Sequence, residues 1–233
     1  MKFPLRLMAD IALGRHPIHI EAGEDRRLSS GAPGAPPDPS AEVKSSRSRI
    51  AWIGGAEPLE HPEIARVTSA LLAANRFVFL ETDGRLLRRR IHEFKPVPRL
   101  FLTLRFDCGA APAEREEAHD VALQAIRGAK LSGFLICANL VIHANSELGE
   151  LELLKERLAT HDVDGMLVSP DTLTAEAAAQ AEAARRQLLS WPWTKLSALV
   201  SASAVNTRTR SRDSVRGVRS PGEGGECEEG AQA

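Results

Sequence analysis

Five short apolar runs alternate with helical patterns along residues 50–190, and this alternation constrains the fold more than any other feature. The runs span residues 50–54, 77–82, 99–106, 134–142 and 164–168. They are almost continuously apolar, as expected of parallel strands covered on both faces. A short run at 17–21 adds a sixth strand. The alternation predicts an α/β fold with a parallel sheet. Periodicity alone leaves open a doubly wound sheet and a full or partial barrel.

The segments between the runs carry apolar residues at helical spacing. The stripes consist of Ile64, Val67, Leu71 and Ala74; of Ala118, Val121, Ala122, Ala125 and Ala129; and of Leu148, Leu151, Leu154 and Leu158. An alanine-rich helix is predicted over about 174–189. We therefore divide the chain into an N-terminal strand segment (1–22), a flexible connection rich in Pro, Gly and Ser (23–49), a barrel or sheet core (50–196) and a disordered tail (197–233).

Charge and hydropathy exclude several classes of function. The net charge of −1 gives no global signal for nucleic acid or a membrane surface. No apolar run approaches the ~20 residues of a membrane span, and the first residues do not resemble a signal peptide. We expect a cytoplasmic protein. Five arginines between Arg208 and Arg219 are interpreted as part of a solvated tail, with a weak nucleic-acid contact as the alternative.

Polar residues follow the predicted strands at the end where parallel α/β folds bind ligands. The glycine pair Gly54-Gly55 lets backbone come close to a ligand. His61 and His143 are candidate acid–base groups or ligands, although the position of His61 at the start of a helix favours capping. Glu81 and Asp83 lie two apart on an extended segment and are expected to point to one side; an Asp-Gly turn is the alternative for Asp83. Strands commonly end in such residues, so the polar rim alone favours a binding site only slightly.

Common catalytic motifs are missing from the sequence. It contains no dinucleotide fingerprint, Walker loop, nucleophile elbow or zinc-protease motif. The histidines show no metal-ligand spacing. The cysteines, Cys108, Cys137 and Cys227, are too scattered for a disulfide framework or a metal clip. We predict no metal ligands and assign no catalytic residue.

One segment resembles a known family. Residues 53–64, which contain Gly54-Gly55-Ala56-Glu57-Pro58, resemble the Gly-Gly-Glu-Pro segment of radical S-adenosylmethionine enzymes. Further stretches are similar to the adenosyl-hopene transferase-like branch of the hopanoid pathway. They are residues 77–84, 102–107, 125–139, 165–170 and 194–195, with a weaker likeness at 3–7 and 17–21.

The resemblance implies a partial (β/α)6 TIM-type barrel that binds S-adenosylmethionine. It assigns the amino-acid end of the cofactor to Gly54, Gly55, Ala56 and Glu57, and it adds Asp107 and Asn139 as cofactor-binding residues. It also implies a 4Fe–4S cluster and, by analogy alone, a lipid-like substrate of hopanoid type.

Two departures from the family are equally informative. The family's C-x3-C-x2-C motif follows its first strand, but the residues after Glu21 contain no cysteine, and the connection 23–49 replaces the next helix. The first βα unit is therefore predicted to be degenerate. Ala56 also adds a methyl group where the family has glycine. By this prediction the chain cannot ligate the cluster.

Three interpretations follow. The first is a protein of radical S-adenosylmethionine type that retains part of the cofactor pocket but is impaired or inactive as a radical enzyme. The second is a non-catalytic scaffold or binding partner of an intact enzyme. The third is an iron-independent α/β enzyme that uses Glu57, Asp107 and His143. Whether the chain is an enzyme is left open.

Overall fold

A single seven-stranded sheet organises the protein. The computed structural model describes residues 4–22, 28–30, 48–172 and 174–202. The strands are β1 (Ile18–Ala22), β2 (Leu28–Ser30), β3 (Ile50–Gly55), β4 (Phe77–Thr82), β5 (Leu100–Asp107), β6 (Leu135–Ile142) and β7 (Gly165–Pro170). Their order is β2-β1-β3-β4-β5-β6-β7. β2 runs antiparallel to β1, and the other six strands are parallel. In the described part of the chain the sheet is not closed.

Helices alternate with the parallel strands from β3 onward, and one helix precedes β1. They are α1 (Leu5–Ala12), α2 (Ile64–Ala73), the short α3 (Leu87–Arg90), α4 (Pro112–Leu131), α5 (Leu148–Ala159), α6 (Ala175–Leu188) and α7 (193–202). Local chemistry sets several ends. Pro112 occupies the first turn of α4, where a missing N–H costs nothing. The hydroxyl of Thr174 accepts a hydrogen bond from the N–H of Ala177 at the start of α6. None of the described helices is long and apolar enough to cross a membrane.

The two faces of the sheet carry different cores. One face packs under α2, α4, α5 and α6, with Leu71, Ile126, Leu154 and Ala184 among the buried residues. On the inner face, the side chains of Trp52, Phe79 and Phe101 stack across β3, β4 and β5; the Phe79 and Phe101 ring centroids lie 4.6 Å apart. Residues of α1 and α7 complete this second cluster: Leu7, Ile11, Leu196 and Val200. Because side chains alternate along a strand, the next inward positions form a separate layer above this apolar floor.

Side chains cover the outer edge of β7, which is the last strand in the sheet order. The N–H of Val168 donates to the Ser197 hydroxyl, and Nε of Arg185 donates to the Val168 carbonyl. Arg185 also donates to the Ser201 hydroxyl. Burial lowers the pKa of Arg185, because it penalises the charged form. An open sheet needs its edge groups satisfied, and α6 and α7 supply the partners here.

The five strands predicted after residue 50 are confirmed to within two residues. Three other predictions need correction. Helix α1 lies in the segment that we predicted only as a strand, because Leu7 and Ile11 bury one face of it in the inner core. Within the predicted flexible connection 23–49, β2 pairs with β1; most of that connection lies outside the described residues. Helix α7 continues to residue 202, beyond the predicted core end at 196, because Ser197 and Val200 are buried.

Candidate functional site

A polar cavity of about 350 Å³ opens at the carboxyl ends of the parallel strands. Its lining comes from β1, β3, β4, β5, β6, β7 and α7. The lining residues are His19, Glu21, Trp52, Gly54, Gly55, Glu81, Arg105, Asp107, Asn139, Val141, His143, Ser169, Pro170, Asp171, Val200 and Ser201. The position agrees with the general location of ligand sites in parallel α/β folds.

Both glycines at the end of β3 are required by close contacts. A Cβ at Gly54 would lie 2.7 Å from Nε1 of Trp52 and 2.8 Å from Oε2 of Glu81. Gly55 has a φ of 109°, and a Cβ there would lie 2.4 Å from the carbonyl oxygen of Ala22. The glycine pair therefore lets β3 approach both the cavity carboxylate and the neighbouring strand β1.

The carbonyl groups of this loop are bound by an arginine from β5. Nη1 of Arg105 donates to the Gly55 carbonyl and Nη2 donates to the Ala56 carbonyl, both at 3.0 Å. The N–H of Ala56 donates to the Ala22 carbonyl at 2.9 Å. Arg105 thus spans β4 and connects the exits of β3 and β5 across the cavity.

The carboxylate of Glu57 stabilises two loops and does not line the cavity. Its Oε1 accepts from the N–H of Leu59 at 2.9 Å, which caps the short 3-10 helix Pro58–Glu60. Its Oε2 accepts from the N–H of Asp83 at 2.8 Å. Burial raises the pKa of Glu57, and the two backbone hydrogen bonds oppose that rise. Glu57 therefore joins the exits of β3 and β4.

A buried hydrogen-bonded chain crosses the inner face above the apolar floor. Nδ2 of Asn139 donates to Oε1 of Glu81 at 2.9 Å, and the Ser169 hydroxyl donates to Oδ1 of Asn139 at 3.1 Å. These residues come from β6, β4 and β7. The chain fixes the Asn139 amide in one orientation and holds the Glu81 carboxylate beside Gly54.

His143 lies between two aspartates at the other end of the cavity. Its Nε2 is 2.8 Å from Oδ1 of Asp107, without the angle of a hydrogen bond, and its Nδ1 is 3.0 Å from Oδ2 of Asp171. Gly109 packs against the imidazole, since a Cβ there would lie 2.0 Å from Cγ of His143. Oδ1 of Asp107 also accepts from the N–H groups of Gly109 and Ala110.

The cavity carries an excess of acidic groups. Four carboxylic acids line it, those of Glu21, Glu81, Asp107 and Asp171, against one guanidinium, that of Arg105. With the acids ionised and without counting His19 and His143, four negative charges and one positive charge leave an excess of three negative charges. Such a surface favours a ligand that carries positive charge.

The structure brings together four of the six predicted cofactor residues: Gly54, Gly55, Asp107 and Asn139 line one cavity. Ala56 and Glu57 do not line the cavity and are linked to it only through other residues. His143 lies in the cavity, whereas Nδ1 of His61 accepts from the N–H of Glu63 near the start of α2.

Of the two interpretations of Asp83, the structure has the Asp-Gly turn rather than a carboxylate beside Glu81 on the strand. The strand ends at Thr82, and Oδ1 of Asp83 accepts from the N–H of Arg85 in the following turn. The role of Arg105 was not predicted. The sequence signal that could have indicated this role is a positively charged residue at an inward-facing strand position, two residues before Asp107.

The described residues do not provide a site for an iron–sulfur cluster. They contain no group of three His, Cys, Asp or Glu side chains arranged to hold a metal. Burial raises the pKa of Cys108 to about 12 and that of Cys137 well above its usual value, so both thiols stay protonated. Cys108 packs in the core under the helices and Cys137 in the inner core.

Comparison with solved structures finds proteins of similar fold. The structure of Streptococcus suis SuiB bound to precursor peptide SuiA matches with a TM-score of 0.51 and 11% identity over 72% of this chain. SuiB bound to S-adenosylmethionine matches with a TM-score of 0.49 and 10% identity over 70% of this chain. The α/β fold of this chain is therefore similar to that of SuiB over the matched region. The chain spans 43% and 40% of those two SuiB chains. No protein-family profile and no curated protein matches the sequence.

Proposed function

We propose that this chain is an S-adenosylmethionine-binding protein of radical S-adenosylmethionine type that holds no 4Fe–4S cluster with its own residues. One observation carries the proposal: an acidic cavity at the strand ends collects Gly54, Gly55, Asp107 and Asn139, residues assigned to the cofactor by the sequence resemblance. S-adenosylmethionine carries a sulfonium group, and its positive charge is suited to a cavity with excess negative charge.

Each cavity residue has a distinct part in this proposal. The missing side chains of Gly54 and Gly55 allow the ligand to approach the end of β3. Asp107 and Asn139 offer oxygen and amide groups to ribose hydroxyls. Trp52, which lines the cavity, would offer an aromatic surface to the sulfonium. Ala56 and Glu57 act indirectly, because Glu57 holds the loop through the N–H groups of Leu59 and Asp83.

Bound S-adenosylmethionine would supply an electrophilic sulfonium, but the described residues do not fit the cluster that starts radical chemistry. We therefore derive no radical step for this chain. The lipid-like substrate and a scaffolding role beside an intact enzyme remain proposals that rest on the resemblance.

An iron-independent reaction is a second candidate function. The observation in its favour is the His143 imidazole between Asp107 and Asp171, which is a group suited to proton transfer. Glu57 does not belong to this site, because it lies outside the cavity.

A thermal-shift titration with S-adenosylmethionine tests the proposal. Binding to the folded state alone stabilises it by about 2.7 kcal/mol when the ligand is at a hundredfold excess over its Kd. Asn139→Ala is expected to abolish the shift relative to its own ligand-free melting temperature. Asn145→Ala changes an exposed asparagine outside the cavity and should keep the full shift. The absence of any shift for the unsubstituted protein at millimolar ligand would refute the proposal.

Anaerobic reconstitution with iron and sulfide tests the missing cluster. We expect a colourless protein with no bound iron after desalting. A brown protein with stoichiometric iron would show that the chain ligates a cluster after all, through residues other than those argued above.

A further inference from the structure

The guanidinium of Arg105 occupies acceptors that a bound amino group would need. The carbonyl oxygens of Gly55, which lines the cavity, and of the next residue, Ala56, each accept from one Nη atom of Arg105 at 3.0 Å. Adjacent carbonyl oxygens are good acceptors for an ammonium group, which has three donors and no acceptor. In this chain a side chain of the protein already fills that position.

A ligand ammonium faces two costs at this end of the cavity. It has to displace the two Arg105 hydrogen bonds, and it has to approach a cation of the same sign. Hydrogen bonds from charged donors are stronger than neutral ones, and like charges at contact distance repel each other. A ligand without an amino group faces neither cost.

We propose that Arg105 takes the place of a ligand's ammonium group, so that this chain binds a nucleoside thioether without an amino-acid head at least as tightly as the same thioether with that head. This inference rests on the proposed function, because it assumes that the nucleoside part of the ligand binds in the same cavity. Arg105 is then the residue that determines specificity for the head group.

The glycine contacts support this assignment. Gly55 cannot shift away from Arg105 easily, because its Cα lies against Ala22 of β1, and the N–H of Ala56 is held by the Ala22 carbonyl. The loop carbonyls are therefore fixed in the direction of Arg105. Removing the guanidinium should leave two acceptors aimed at the cavity and available to a ligand.

Isothermal titration with S-adenosylmethionine, S-adenosylhomocysteine and 5′-methylthioadenosine tests the inference. The last two are both thioethers without a sulfonium, and for the unsubstituted protein the Kd for 5′-methylthioadenosine should equal or fall below that for S-adenosylhomocysteine. Arg105→Met should tighten binding of S-adenosylmethionine by about tenfold, which corresponds to about 1.4 kcal/mol, and should leave the Kd for 5′-methylthioadenosine unchanged. Arg88→Met removes an exposed arginine on α3 and is the matched control, with no effect on the Kd of any of the three ligands.

The outcomes separate this inference from the proposed function. If none of the ligands binds, both fail. If S-adenosylmethionine binds and S-adenosylhomocysteine binds more tightly than 5′-methylthioadenosine to the unsubstituted protein, the proposed function stands and the inference is wrong. The inference is equally wrong if Arg105→Met selectively weakens S-adenosylmethionine, because Arg105 would then bind the ligand carboxylate. The first comparison needs no variant, so a poorly folded Arg105→Met leaves the test intact.

Discussion

Replacing Gly55 with alanine tests whether the end of β3 is built as described. The backbone at Gly55 has a φ of 109°, a conformation that L-residues rarely adopt. A Cβ there would lie 2.4 Å from the carbonyl oxygen and 2.8 Å from the nitrogen of Ala22. Both atoms belong to the backbone of β1, so no side-chain rotation relieves the overlap.

The loss of stability expected of Gly55→Ala has two separate causes. A residue with a Cβ held in a sparsely populated backbone conformation costs about 1–3 kcal/mol. Overpacking against a well-packed neighbour costs about 1–3 kcal/mol more. We therefore expect Gly55→Ala to lower the free energy of unfolding by about 2–6 kcal/mol. The displaced loop should also lose ligand binding, since the Ala56 N–H and the Gly55 carbonyl both depend on the position of this residue.

Gly128→Ala is the matched control. Gly128 lies on the exposed side of α4, and a Cβ there meets no heavy atom within 4 Å. Alanine in a helix interior is favoured over glycine by about 1 kcal/mol, so this variant should be slightly more stable than the unsubstituted protein. Urea unfolding followed by circular dichroism measures both. Equal midpoints for Gly55→Ala and the unsubstituted protein, with Gly128→Ala behaving as expected, would refute the described geometry of the loop.

Two further predictions concern titratable groups. In a Cys227→Ala background, Cys108 and Cys137 should not react with a thiol reagent in the folded state at pH 8 and should react fully in urea. The reason is that burial raises the pKa of Cys108 to about 12 and that of Cys137 well above its usual value. Rapid reaction in the folded state would contradict this. Glu57→Gln should gain stability relative to the unsubstituted protein as the pH rises above 4.5, because the raised pKa of Glu57 in the folded state makes its ionisation unfavourable to folding. Unfolding by urea across pH 4–7 measures the difference in the free energy of unfolding between the two proteins. A difference that stays constant or falls with rising pH would contradict the prediction.

Most of the fold could be predicted because buried parallel strands leave a strong local signal. The apolar runs that became β3, β4, β5, β6 and β7 need no partner to be recognised. Helix α1 and strand β2 carry weaker signals, since they are short and depend on contacts made elsewhere. Leu7 and Ile11 of α1 pack with Leu196 and Val200 of α7, and that cluster joins opposite ends of the described chain.

The candidate site could be predicted in part for a similar reason. The backbone constraint on Gly54 and Gly55 and the strand-end positions of Asp107 and Asn139 are local features. The direction of the Glu57 side chain cannot be predicted from its neighbours in sequence, because its carboxylate accepts a hydrogen bond from the N–H of Asp83, 26 residues away. The role of Arg105 depends on carbonyl groups 50 and 49 residues away. Both depend on strand order, which periodicity did not determine.

Several polar groups of the cavity are already hydrogen-bonded within the protein, and this condition governs how a ligand binds to them. Arg105 donates to two loop carbonyls, Asn139 donates to Glu81, and Ser169 donates to Asn139. A polar ligand group gains only the difference between its own hydrogen bond and the internal one that it replaces. Ligands should therefore be discriminated by the internal pair that they break. The Arg105 pair is the critical one for head-group specificity, because its displacement also brings two cations together, whereas the Asn139 amide can exchange partners without any change of charge.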